Sequence, residues 1–195
     1  MSKFTIEKGG LEGLLIIHIK EATDHKDYLT YNKNLLQQLG FNVDFVQENQ
    51  SLSHQGVIRG VHLQKEYPQG KLIRVASGSI FDVAVDLRKD SKTYKKWYGI
   101  ELSGENRKQF YIPSGFAHGF MSLENDTVVV FKVTDYFHPG DEIGFRWDDP
   151  DIQIKWPVLK KEVQNKSCYT TLSGKPIIIG EKDVSLPYAK EVLDI

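Results

Sequence analysis

Cysteine is nearly missing from these 195 residues. Cys168 stands alone, which excludes an internal disulfide and any multi-cysteine metal cage and fits a reducing compartment. An excess of one charge is missing too. The 25 Lys and Arg against 26 Asp and Glu leave a formal net charge of −1, so there is no polyelectrolyte drive towards nucleic acid. No apolar run approaches the roughly 20 residues of a membrane span. The opening Met1-Ser-Lys-Phe-Thr5 has no apolar signal core. The expectation is a cytoplasmic protein that engages neither membrane nor nucleic acid. Internal repeats and low-complexity linkers are also absent, and the length fits one domain, 1–195, able to bury a proper core.

What the chain does have is many short strand signals. Leu14–Ile19 reads as a buried strand. Tyr28 to Gly40 carries leucines at 29, 35, 36 and 39 and ends in glycine, which predicts a short helix with Gly just past its end. From Phe41 the β-signals take over at Val57–Gln64, Lys71–Ser77, Ser79–Arg88, Tyr98–Leu102, Gln109–Ile112, Gly119–Leu123 and Thr127–Phe137. Turn residues such as Tyr67-Pro-Gln-Gly70 and Pro139-Gly-Asp141 separate them. Alternation of Phe81, Val83, Val85 and Leu87 puts Asp82, Ala84 and Asp86 on the other face. From about Val158 the tail reads as loop, then a strand-like Pro176–Ile179 and a short helix from Leu186 to Leu193. Strands without intervening helices predict an all-β sandwich or barrel.

Three stretches concentrate the chemistry: Gly56-Val-Ile-Arg-Gly-Val-His62, Gln69-Gly-Lys71, and Pro113-Ser-Gly-Phe-Ala-His118. The last is a modest signal of a cupin-type double-stranded barrel. A mononuclear metal site there would usually start from a His-x-His pair, but Gly60 and Gln64 stand two positions either side of His62, and His118 has no near partner. The expectation is therefore a metal-free barrel. Histidine titrates near neutrality and is the commonest general base, and a nearby lysine can stabilise an enolate oxygen. Structural alternatives stay open for each group. His62 can be a hydrogen-bonded structural histidine, Lys71 a solvated turn lysine and His118 a loop anchor. Arg59 and His62 have opposite strand parity, so both face one pocket only if the backbone is irregular near Gly60, for instance through a bulge.

Several blocks in order resemble the dTDP-4-dehydrorhamnose 3,5-epimerases: Phe45-Val-Gln-Glu-Asn-Gln-Ser51, the Gly56–His62 stretch, Gln69-Gly-Lys-Leu72, Phe81–Arg88, Ile112–Phe120, Trp147-Asp-Asp-Pro150, Ile154-Lys-Trp-Pro157 and Glu181-Lys-Asp183. The resemblance spans about residues 41–183. It implies a cupin-like jelly-roll barrel with a core over 41–157 and a C-terminal segment, 158–195, that completes the site. It also implies a homodimer without cofactor, working in nucleotide-sugar biosynthesis on a dTDP-sugar. By this resemblance His62 is the general base, Asp183 the carboxylate that orients and charges it, and Lys71 the enolate stabiliser. Gln47, Glu48, Asn49, Arg59, His118, Glu142 and Lys182 would line the sugar-nucleotide site.

The chain departs from the family pattern in three places. The family's acid tyrosine opens a Tyr-Lys-x-Thr-x-Tyr-Tyr block that here reads Phe131-Lys-Val-Thr-Asp-Tyr-Phe137. Phe131 therefore has no hydroxyl to donate, whereas Phe137 still offers a ring to stack on the base. The family's Asp-x-Arg-Gly-x-x-x-Glu reads Asp24-His-Lys-Asp-Tyr-Leu-Thr-Tyr31, so Lys26 keeps a phosphate-binding charge without the guanidinium fork. The expected activity is epimerisation of a nucleotide-linked 4-keto-6-deoxyhexose at C3, or at C3 and C5 if another donor serves. The competing readings are a 3,4-ketoisomerase and a barrel that binds a nucleotide sugar without turning it over.

Overall fold

The computed structural model describes residues 3–20, 29–163 and 166–193. Two strands open the chain, β1 (Phe4–Lys8) and β2 (Leu15–Ile19), followed by α1 (Lys33–Gln38). Next come β3 (Gln47–Ser53), β4 (Val57–Gln64), β5 (Lys71–Ser77), β6 (Ser79–Asp86) and β7 (Trp97–Ser103). They are followed by β8 (Gln109–Ile112), β9 (Phe116–Ser122), β10 (Thr127–Val133) and β11 (Glu142–Gly144). A hairpin of β12 (Val158–Val163) and β13 (Lys166–Thr171) precedes β14 (Ile178–Ile179), α2 (Glu181–Val184) and α3 (Ala189–Leu193).

One sheet runs β1-β2-β8-β5-β10-β3, and the second runs β11-β4-β9-β6-β7 with β14 beside β4. The β14–β4 pair is parallel. Ile73, Val75 and Phe110 of the first sheet meet Ile80, Ala84 and Phe120 of the second in the interior. This is the expected jelly-roll barrel of cupin type, mainly β with a few short helices.

Strand β6 shows how the alternation builds three layers. Ile80 and Ala84 point into the barrel, while Val83 and Val85 point outward under Trp147, Trp156 and Leu193. Each buried Ile or Val side chain contributes about 1.5–3 kcal/mol. On the outer side of the first sheet, Phe4, Ile17, Leu36 and Phe41 form a separate cluster. The Asn32 side chain caps α1 by accepting from Leu35 N at 3.0 Å. The helix then closes through Gly40 N to Gln37 O (2.9 Å) and Phe41 N to Leu36 O (3.0 Å), with Gly40 at φ +86°. Glycine thus sits where the sequence predicted it. The helix is shorter than the predicted span, and Tyr28 lies outside the described residues.

Several expected boundaries move. β9 runs Phe116–Ser122 rather than Gly119–Leu123, and β10 stops at Val133 rather than Phe137. The tail beyond Val158 is not loop, because β12 and β13 pair as a hairpin. Within 176–179 the paired strand is Ile178–Ile179. The last helix starts at Ala189, whose N–H donates to buried Asp149 Oδ2 at 2.7 Å. β6 ends at Asp86 because that carboxylate gathers the following turn. It accepts from Arg88 Nε (2.8 Å), Arg88 Nη2 (2.7 Å), Ser91 Oγ (2.6 Å) and Thr93 Oγ1 (2.6 Å).

Burial pushes the Asp86 carboxyl up, but these donors outweigh it and hold it well below the ordinary carboxylate range. A depressed native pKa gives stability that is complete above the unfolded value and is lost as pH falls through the native one. Stability should therefore be insensitive to Asp86 from neutrality down to about pH 4 and decline below that. Asp86→Asn should lower stability at pH 7 by about 3 kcal/mol, since it leaves Arg88 without its anion. It should also flatten the acid limb of a denaturant-midpoint series. An unchanged limb would count against the network.

Candidate active site

A cavity of about 690 Å³ opens between the two sheets, within the size of small-molecule sites. His62 on β4 and His118 on β9 are direct cross-strand partners on one wall. Asn49 and Ser51 on β3, Lys71 on β5 and Phe131 on β10 come from the other sheet.

The backbone irregularity that the sequence demanded near Gly60 is present. Arg59 pairs with Phe120 and His62 with His118, so Gly60 and Val61 together oppose Gly119 alone. This bulge brings Arg59 and His62 onto the same cavity despite their opposite parity. Gly60 sits at φ +101°, and a Cβ there would lie 2.6 Å from both His118 O and Gly119 Cα. No other residue fits that conformation and that gap.

The bulge also receives the C-terminal segment. β11 pairs with β4 at His62–Gln64 and β14 pairs with it at Val57–Ile58. Between them α2 carries Asp183 in, where Oδ2 accepts from Gly60 N at 3.1 Å and Oδ1 lies 2.7 Å from His62 Nε2. Burial pushes the Asp183 carboxyl up, but the His62 hydrogen bond and the Gly60 N–H bring it below its ordinary value, so it is ionised at neutral pH. An ionised acceptor fixes the neutral imidazole with its hydrogen on Nε2 and its lone pair on Nδ1. Glu142 Oε1 lies 3.5 Å from that Nδ1 and is also paired with Lys182.

Lys71 is no solvated turn lysine. Burial pulls its ammonium below the ordinary value, and the Glu142 and Asp82 carboxylates oppose that pull. His118 is held by Asp82, with Nε2 to Oδ1 at 2.7 Å and Asp82 fully buried. The alternation along β6 put Asp82 on the inner face, but nothing in the sequence tied it to His118. Ser51, Gln50 and Glu181 also line the cavity and were not singled out by the sequence.

Most of the remaining candidates converge. Gln47, Asn49, Arg59, Phe131, Phe137, Glu142 and Lys182 all line the cavity. Glu48 does not. It alternates to the outer face of β3 and pairs there with Lys132 at 2.5 Å. Lys26 lies outside the described residues. Tyr136, which follows Phe131 at the wrong parity to replace its missing hydroxyl, is 58% exposed and away from the cavity lining. An oriented histidine facing a lysine across a cavity can take a proton beside a carbonyl and stabilise the resulting oxyanion.

The model of the dTDP-4-dehydrorhamnose 3,5-epimerase family matches residues 8–191. A dTDP-4-dehydrorhamnose 3,5-epimerase of Methanothermobacter thermautotrophicus is 51% identical over 160 residues, covering 81% of this chain and 86% of its own. Among solved structures, a dTDP-6-deoxy-D-glucose-3,5-epimerase of Legionella pneumophila in complex with dTDP-4-keto-L-rhamnose has a TM-score of 0.82 at 36% identity. That similarity covers 98% of this chain and 94% of the other. A Bacillus anthracis dTDP-4-dehydrorhamnose 3,5-epimerase with TDP and PPi bound also has a TM-score of 0.82, at 37% identity, covering 95% and 99%. With the histidine–carboxylate pair, the opposed lysine and the barrel in place, these matches show that the chain belongs to the dTDP-4-dehydrorhamnose 3,5-epimerase family.

Proposed function

We propose that this protein epimerises a dTDP-linked 4-keto-6-deoxyhexose, with dTDP-4-dehydro-6-deoxyglucose as substrate, inverting C3. The observation that carries the reading is the His62–Asp183 pair set across the cavity from Lys71. The 4-keto group acidifies the adjacent C3 hydrogen. His62 Nδ1 takes that proton, the C–H electrons form the enolate, and the charge on O4 is met by the Lys71 ammonium. Asp183 stabilises the imidazolium that results. A proton returned from the opposite face inverts the centre. Incubation in deuterium oxide should incorporate deuterium at C3 during turnover. A substrate recovered without deuterium and without inversion would overturn the assignment.

The nucleotide end follows from the cavity mouth. Phe137, 53% exposed, offers a ring to a pyrimidine, and Arg59 and Lys182 offer positive charge to the diphosphate. Arg59→Ala should weaken dTDP binding by about 1.5–3 kcal/mol, the scale for a hydrogen bond to a charged group. Calorimetry giving an unchanged affinity, or a preference for a purine nucleotide, would remove Arg59 from the site.

The working form is proposed to be a cytoplasmic homodimer that needs no cofactor. Strand β3 ends its sheet, and Val46 and Leu52 are exposed at that edge, a surface suited to pairing with a second copy. Light scattering that gives a monomer at working concentration would overturn the dimer.

A further inference from the structure

Inversion needs a proton from the wall opposite His62, and Phe131 on that wall carries no hydroxyl. We propose that Ser51 is the donor, an inference that rests on the epimerase reading above. Among the described residues lining the cavity, Ser51 has the only hydroxyl. It lies on β3, in the sheet that faces the His62 wall, one pleat along from Asn49. Asn49 is the direct cross-strand partner of Phe131, and Ser51 that of Val129. Ser51 Oγ is buried and has no hydrogen-bond partner. A buried hydroxyl left without a partner is costly and calls for an occupant to satisfy it. With no bond to break, one turn about χ1 brings Oγ–H towards a bound hexose.

The enolate carbon forms a bond to the Ser51 hydrogen, and the O–H electron pair stays on Oγ. The C4 carbonyl re-forms, and solvent water later returns a proton to Oγ while His62 gives its own to solvent. Lys71 shares this wall, but its ammonium faces the Glu142 and Asp82 carboxylates and serves O4.

The test is the ratio of C3 inversion to C3 deuterium wash-in, measured by proton NMR. In Ser51→Ala, His62 still removes the C3 proton and returns a deuteron to the face it came from. Wash-in should stay within about 3-fold of the unmodified rate while inversion falls by about 10²-fold or more, the lower end of general-acid contributions. Ser51→Thr keeps a hydroxyl and should restore inversion. A purely structural Ser51 would move both quantities together, and that outcome overturns the donor. So does an unchanged ratio in Ser51→Ala, which would pass the role to Lys71 or to water. Should Ser51→Ala fail to fold, Ser51→Cys is read by the same ratio, with a weak S–H donor expected to fall between alanine and serine. Absence of wash-in in the unmodified protein overturns the epimerase reading itself, which is a separate failure.

Discussion

His62→Ala should abolish deuterium exchange at C3, a loss of at least about 10²–10⁴-fold, while the barrel remains folded. The ring is partly buried, and its polar contacts are the Asp183 and Glu142 carboxylates rather than the core. Asp183→Asn should have an effect of the same order for a different reason. The amide keeps an acceptor for Gly60 N, whose hydrogen bond from the bulge is 3.1 Å long, but it removes the negative charge that steadies the imidazolium. Circular dichroism should therefore be unchanged in both variants, with exchange at C3 lost. Exchange at the unmodified rate in His62→Ala would move the base elsewhere in the cavity. Asp183→Asn with full activity would reduce the carboxylate to a backbone cap.

Phe131→Tyr should open a second reaction. Phe131 is the cross-strand partner of Asn49 on β3 and Ile73 on β5, and its side chain both packs against the interior cluster and lines the cavity, where a para hydroxyl is expected to be placed. A phenol, with a pKa near 10, is a far better acid than an aliphatic hydroxyl or water. Inversion at C5 should rise by about 10²–10⁴-fold, the usual worth of a placed general acid. The product's ring coupling constants report each centre separately. If the unmodified protein already inverts C3 and C5 at comparable rates, or the variant gains nothing at C5, the missing hydroxyl does not set the outcome.

The strands most legible in the sequence are rich in β-branched and aromatic residues. β5 and β8 fall at the predicted residues and β6 differs only at its end, while β4 also falls where predicted, on Val57, Ile58 and Val61, although Arg59 and His62 turn towards the cavity. β3 was invisible for the opposite reason. Gln47-Glu-Asn-Gln-Ser-Leu-Ser53 is polar because it ends its sheet and lines the cavity, so the site removed the pattern by which strands are recognised. The β12–β13 hairpin, with three lysines and one glutamate in its strands, gave no period either. In the site, His62 and Lys71 stood out locally, and Gly60 announced its bulge through parity. Asp183 came from resemblance alone, since its four-residue helix has no periodic signal and its partner lies 121 positions away. Asp82 was placed on the correct face and left without a role, because pairing across strands depends on a register that no single strand encodes.

Synthesis order matters for a dyad built this way. Every strand from β3 to β11 has left the ribosome once Gly144 has, so the cavity walls and His62 can assemble while the tail is still being made. Asp183 follows only after the β12–β13 hairpin and β14. Until α2 settles on the Gly60 bulge, the imidazole has no carboxylate on Nε2 to fix its tautomer. A nascent or prematurely released chain would therefore lack both the carboxylate of the dyad and the Lys182 cation, and catalytic competence would arrive with the last few elements translated.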